Sequence, residues 1–93
     1  MPGCIPLRHQ AAYYVYILVS EKTGRYYIGS SGNVLARLDL HNLGKVEATR
    51  YQRPFRIVYT EQYLEGQQAR ARERQLKRQK SRRVIDELTQ KGV

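Results

Sequence analysis

Tyr13-Tyr14-Val15-Tyr16-Ile17-Leu18-Val19, then Glu21-Lys22-Thr23-Gly24, then Arg25-Tyr26-Tyr27-Ile28-Gly29-Ser30 is the stretch that decides the fold. The first seven residues are aromatic, β-branched or aliphatic with no polar break, the pattern of a strand buried on both faces. Glu21 to Gly24 is a turn signal, with Gly24 free to take a positive φ. Residues 25–30 predict a second strand, so the pair is a hairpin. A four-residue loop at 21–24 makes paired positions sum to 45, an odd number. An odd register puts Tyr16 and Tyr27 on the same face of the hairpin.

Upstream, residues 1–12 hold two prolines and a glycine without periodicity and read as a flexible leader. Downstream, Ser30-Ser31-Gly32-Asn33 supplies helix N-cap candidates. A helix is predicted over 33–42, with Val34, Leu35 and Leu38 inward and Gly44 ending it. Phe55 to Tyr63 reads as a half-buried strand in which Phe55, Ile57 and Tyr59 share a face. Gln67 to Lys80 is rich in good helix formers. Ser81 is the expected N-cap of a last helix through Gln90. The order is β-β-α-β-α-α, and the fold class is α+β: a small three-stranded antiparallel sheet flanked by helices, in one domain over residues 13–91. At 93 residues the chain has no room for two domains of ordinary size.

No apolar run approaches the ~20 residues of a membrane helix. One cysteine, Cys4, allows no internal disulfide, and a reducing cytoplasm is the expected setting. The net charge of +9 points to a polyanionic partner, nucleic acid first. That charge is localised. Residues 66–83 carry Arg70, Arg72, Arg74, Lys77, Arg78, Lys80, Arg82 and Arg83 against one acid, Glu73, a net +7. Arginines four apart on a helix repel one another, an arrangement that phosphate contact favours and isolated-helix stability does not.

Glu73 lies on the helical face of Ala69 and Leu76, four and three residues away. A carboxylate pointing inward needs a partner. An ion pair with an arginine supplies one; a divalent cation shared with substrate phosphate supplies another. Arg37 and His41, four apart on the preceding helix, also share a face. Taken singly, the tyrosines are packing residues and His41 an exposed helix residue. Taken together, two phenols, a guanidinium, an imidazole and a lone acid can converge beside the sheet.

The ordered set Tyr14-Val15-Tyr16, Tyr27-Ile28-Gly29, Arg37, His41 and Glu73 resembles the GIY-YIG nuclease domain, over about Tyr13 to Gln90 and closest to its short stand-alone bacterial members. The resemblance implies a three-stranded antiparallel sheet with flanking helices and divalent-metal-dependent cleavage of DNA phosphodiesters. Tyr16 and Tyr27 match the two motif tyrosines. Arg37, His41 and Glu73 match the arginine, the histidine and the metal-binding glutamate. Gly29 matches the glycine that lets backbone and substrate approach closely. Two departures stand out: Tyr14 occupies the place of the first motif's glycine, and no asparagine follows Asn42 where many members carry one.

The chemistry expected is hydrolysis with one Mg²⁺ or Mn²⁺ at Glu73, Arg37 clamping phosphate oxygens, and His41 orienting a tyrosine or relaying a proton. Tyr16 is the favoured acceptor of the water proton, its pKa lowered by nearby cations, with Tyr27 hydrogen-bonded beside it. The basic stripe and Gly29 bind flanking DNA. With no base-reading element in the chain, selectivity for nucleic-acid structure or ends is expected over sequence specificity. The competing reading is a non-catalytic nucleic-acid-binding module of the same fold; a tyrosine-rich protein adaptor ranks behind it.

Overall fold

The computed structural model describes residues 12–79 and 82–91. The leader, apart from Ala12, and the Lys80 and Ser81 assignments lie outside them. Among the described residues the elements run β1 (Tyr13–Ser20), β2 (Tyr26–Ser31), α1 (Val34–Asn42), a short 3-10 turn (Arg50–Gln52), β3 (Phe55–Tyr63), α2 (Gly66–Gln79) and α3 (Arg82–Lys91). The three strands form an antiparallel sheet in the order β2-β1-β3. No helix among the described residues is long and apolar enough to cross a membrane.

The hairpin register is the odd one: Tyr16 pairs Gly29 and Leu18 pairs Tyr27, both summing to 45. Gly24 takes φ 76°, and the Ser20 hydroxyl accepts from the backbone N–H groups of Lys22 and Thr23, which closes the turn. Asn33 is the N-cap of α1, its side chain accepting from Ala36 N–H at 3.0 Å. Gly44, at φ 79°, stops that helix. The Asn42 amide then bonds both the N–H and the C=O of Phe55, fastening the end of α1 to the start of β3.

The sheet is covered on both faces. Against α2 and α3 it presents Val15, Ile17 and Ile28, packed on Ala69, Leu76 and Ile85. Against α1 it presents Tyr16, Leu18 and Phe55, with Tyr27, Val34, Leu38 and Ile57 around them. Two expectations change here. Leu35 is 69% exposed, because an inward stripe on a helix this short holds Val34 and Leu38 but turns Leu35 past the sheet. Phe55, Ile57 and Tyr59 do not share a face. The pairing steps from Ile17–Tyr59 to Leu18–Ile57, leaving Val58 as the extra residue of a bulge. Beyond it the strand reverses faces, so Tyr59 and Tyr63 pack with the α2 cluster while Phe55 and Ile57 pack with the α1 cluster.

Candidate active site

Strand alternation delivers Tyr16 and Tyr27 to the α1 face, with ring centroids 6.5 Å apart. α1 brings His41 over them, 4.7 Å from Tyr27 and 6.4 Å from Tyr16, with Phe55 behind it at 5.8 Å. His41 is 0% exposed, not the solvated helix residue its position alone suggested. Its Nδ1 lies 2.8 Å from the buried Thr49 hydroxyl. That hydroxyl also lies 3.4 Å from the Val46 carbonyl, so Thr49 ties the ring to the turn after α1. Nε2 is buried without a partner among the described residues, and so is the Nε of Arg37. Burial, with the Arg37 charge adding to it, pushes the His41 pKa below 6.5, and the ring is neutral at pH 7.

Tyr16 is 1% exposed. Burial raises its pKa above 10.0, and the hydrogen bond from Arg37 only partly offsets this. Of the two cations expected to lower it, Arg37 by itself does not suffice, since desolvating a phenolate outweighs one guanidinium. No hydrogen bond joins Tyr16 to Tyr27 among the described residues; the two rings meet by tilted packing. The Tyr16 ring lies across Gly29. A Cβ at position 29 would stand 2.4 Å from the Tyr16 hydroxyl oxygen, so this phenol requires glycine there. With no side chain in the way, the phenol reaches outward from the central strand over β2, the edge strand.

Glu73 approaches the same edge from the other side of the sheet. Its Oε1 accepts from Ser30 Oγ at 2.6 Å, and its Oε2 from Lys77 Nζ at 2.7 Å. Ser30 shares the α2 face with Ile28, and it is the residue next to Gly29. The carboxylate is close enough for its charge to raise the Tyr16 pKa. Burial opposes its ionisation, but the bonds from Lys77 and Ser30 hold its pKa below 4.5. So four side chains gather on the α1 face, and the acid joins them around the strand edge. The ion pair foreseen for Glu73 is made with Lys77, half exposed, and not with an arginine.

The donor set decides what cation fits. No group of three His, Cys, Asp or Glu occurs among the described residues. A lone ionised carboxylate with a half-exposed lysine beside it fits Mg²⁺ or Mn²⁺ shared with substrate phosphate and water, the usual mode for Mg²⁺. It does not fit a metal caged by protein alone.

The basic stripe divides. Arg70, Arg74 and Arg78 form no ion pair among the described residues and recur every four positions on the outer side of α2. Arg72 is different: its Nε and Nη2 grip Glu61 at 2.9 and 3.1 Å, and Glu61 also accepts from Tyr59 and Tyr63. Arg72 is thus a clasp between α2 and β3. The bulge at Val58 is what turns Glu61 toward α2, a signal no strand periodicity carries. Arg82 stacks 4.9 Å from the Tyr26 ring, and Arg83 stands exposed 4.0 Å from Glu87. Sequence reasoning missed Ser30, Thr49 and Glu61. Ser30 was legible only as a capping residue, because the position of α2 beside β2 is a tertiary fact.

Comparison with known proteins bears on the family and the fold. The model of the GIY-YIG catalytic domain matches residues 12–86. UPF0213 protein SH2523 of Staphylococcus haemolyticus is 38% identical over 81 residues, covering 83% of this chain and 98% of the relative. A UPF0213 protein of Streptococcus pneumoniae is 35% identical over 68 residues, covering 72% of this chain and 68% of the relative. The solution NMR structure of UPF0213 protein BH0048 from Bacillus halodurans superposes with a TM-score of 0.53 at 36% identity, covering 87% of this chain and 86% of that one.

Proposed function

Since the chain belongs to the GIY-YIG catalytic-domain family, a family of nucleases, we propose that it is a divalent-metal-dependent endonuclease that hydrolyses DNA phosphodiester bonds. The observation that carries the reading is the meeting of Tyr16, Tyr27, Arg37 and His41 on one sheet face, with ionised Glu73 beside the same strand edge. Selectivity is for strand ends or structure rather than base sequence.

In this reading Glu73 holds one Mg²⁺ or Mn²⁺ after Lys77 swings aside. When bound, that cation neutralises charge developing on the scissile phosphate and the leaving oxygen. Arg37, its Nε without a partner, turns its guanidinium to phosphate oxygens. His41, neutral and fixed by Thr49, uses its unpartnered Nε2 to exchange a proton next to Tyr27. Tyr16 takes the proton of the attacking water in its phenolate form, which burial makes scarce at pH 7. Arg70, Arg74 and Arg78 hold flanking phosphates.

Glu73→Ala should abolish metal-dependent nicking of labelled DNA while binding in metal-free buffer persists. A variant that cuts as fast as the parent would sink the metal assignment. The satisfied Glu73–Lys77 pair favours one rival, a module that binds nucleic acid without cutting it. Complete absence of nicking by the parent chain with Mg²⁺ or Mn²⁺, across single-stranded, duplex and flapped DNA, would establish that rival.

A further inference from the structure

A groove of about 670 Å³ runs along the outer edge of β2, on the face that β2 shares with α2 and α3. Ile28, Leu76 and Ile85 make its apolar floor. Tyr26 stands beside them, and Arg25 and Arg82 rim the opening. Two further lining residues belong to the candidate site: Tyr27, packed on His41, and Lys77, bonded to Glu73. The groove is therefore continuous with the site around the strand edge.

Its size lies within the range of small-molecule sites. Its chemistry is mixed: an apolar floor, an aromatic wall and three cations at the rim. A free phosphate has no use for the floor, and an apolar peptide none for the cations. A flat ring carried on a phosphate backbone uses both. The Tyr26 ring is fixed in advance, its hydroxyl donating to Asp86 at 2.6 Å. The Arg82 guanidinium lies over the face of that ring, 4.9 Å from its centroid, so the surface open to a base is the outer plane of the guanidinium. Asp86, the acid beside the groove, is compensated by this hydroxyl and by Arg82 at 4.0 Å. A base inside continuous duplex is paired and stacked and cannot enter such a groove, whereas an unpaired one can.

We propose that the groove receives the base of an unpaired nucleotide flanking the scissile phosphate, stacked on the Arg82 guanidinium that Tyr26 backs, with its backbone held by Arg25 and Lys77. The substrate class is then a single strand or flap rather than continuous duplex. The place of the scissile phosphate rests on the nuclease reading above; the groove's preference for an unpaired base does not.

The test is fluorescence anisotropy in metal-free buffer with the full chain, on a single strand, the same strand made of abasic sites, a flap and a blunt duplex of equal length. Single strand and flap should bind about tenfold or more tighter than duplex or abasic strand, the scale of one base stacked on an aromatic ring. Tyr26→Leu and Arg82→Ala should each bring that ratio toward one, thermal melts showing that the variants fold. Arg82 is an exposed side chain, so its variant decides the matter if Tyr26→Leu unfolds. Equal affinity for single strand, abasic strand and duplex would overturn the proposal, as would an unchanged ratio in Arg82→Ala. Cleavage is scored separately with Mg²⁺. Selective binding without cleavage removes the nuclease reading and leaves the groove; cleavage with equal binding of single strand, abasic strand and duplex removes the groove and leaves the nuclease.

Discussion

Gly29→Ala adds one methyl group 2.4 Å from the Tyr16 hydroxyl, a distance that real contacts do not reach. Tyr16 is walled in by Leu18, Phe55 and its neighbours, so the ring has little room to give way. The expected cost is about 1–3 kcal/mol of stability, typical of overpacking a well-filled site. Nicking should fall more than stability does, because the displaced atom is the phenol oxygen. A variant with the parent's melting temperature and activity would show that the ring moves freely. Tyr16 also sets a pH dependence. A raised pKa means that phenolate is the minor form throughout the neutral range. Each unit of pH below that pKa increases it about tenfold, so log rate should climb with a slope of about +1 from roughly pH 7 to pH 9. Tyr16→Phe should lose the climb along with most of the rate. A flat profile in the parent would remove Tyr16 as the base.

At the scale of elements, the arginines of α2 separate by task although the sequence spaces them evenly. Arg72 reaches back to β3, where Glu61 sits with two tyrosine hydroxyls already donating to it. Burial and the bond to Glu61 push the Tyr59 pKa up to about 12, so that phenol remains a donor at any working pH. Arg72→Ala leaves a largely buried carboxylate without its cation and should cost about 1–3 kcal/mol in denaturant unfolding. DNA affinity should change little once the variant is held folded. Arg74→Ala should behave in the opposite way, with stability near the parent's and weaker binding. Equal behaviour of the two variants would remove the distinction. The stripe was legible as a cluster of charge, but its division was not: whether an arginine meets a carboxylate or solvent depends on a bulge 14 residues upstream, at Val58.

For the whole molecule, the net charge of +9 becomes directional once folded. Arg70, Arg74 and Arg78 face outward from α2, while Lys77 and Arg82 border the edge of β2. Binding to DNA should therefore weaken steeply with salt, with a log–log slope of about −3 to −5 for a handful of neutralised phosphates. Replacing Arg70, Arg74 and Arg78 together with alanine should flatten that slope by about 2–3. Titrations at several salt concentrations measure it directly, and an unchanged slope would place the DNA on another surface.

By itself the chain of residues determined the element order, the hairpin register and the placing of Tyr16 and Tyr27 on one face. These follow from local periodicity and from a turn whose length sets parity, and both act over a few neighbouring residues. The same holds for Arg37 with His41, four apart on one helix. Only the tertiary structure decided that Glu73 arrives from the opposite face, held by Ser30 and Lys77 at the edge of β2. It alone buried His41 against Thr49, and it alone set burial against Arg37 at the Tyr16 phenol, with burial the stronger. Burial and partner choice depend on which surfaces the packed layers bring together across tens of residues, and no local pattern encodes that distance.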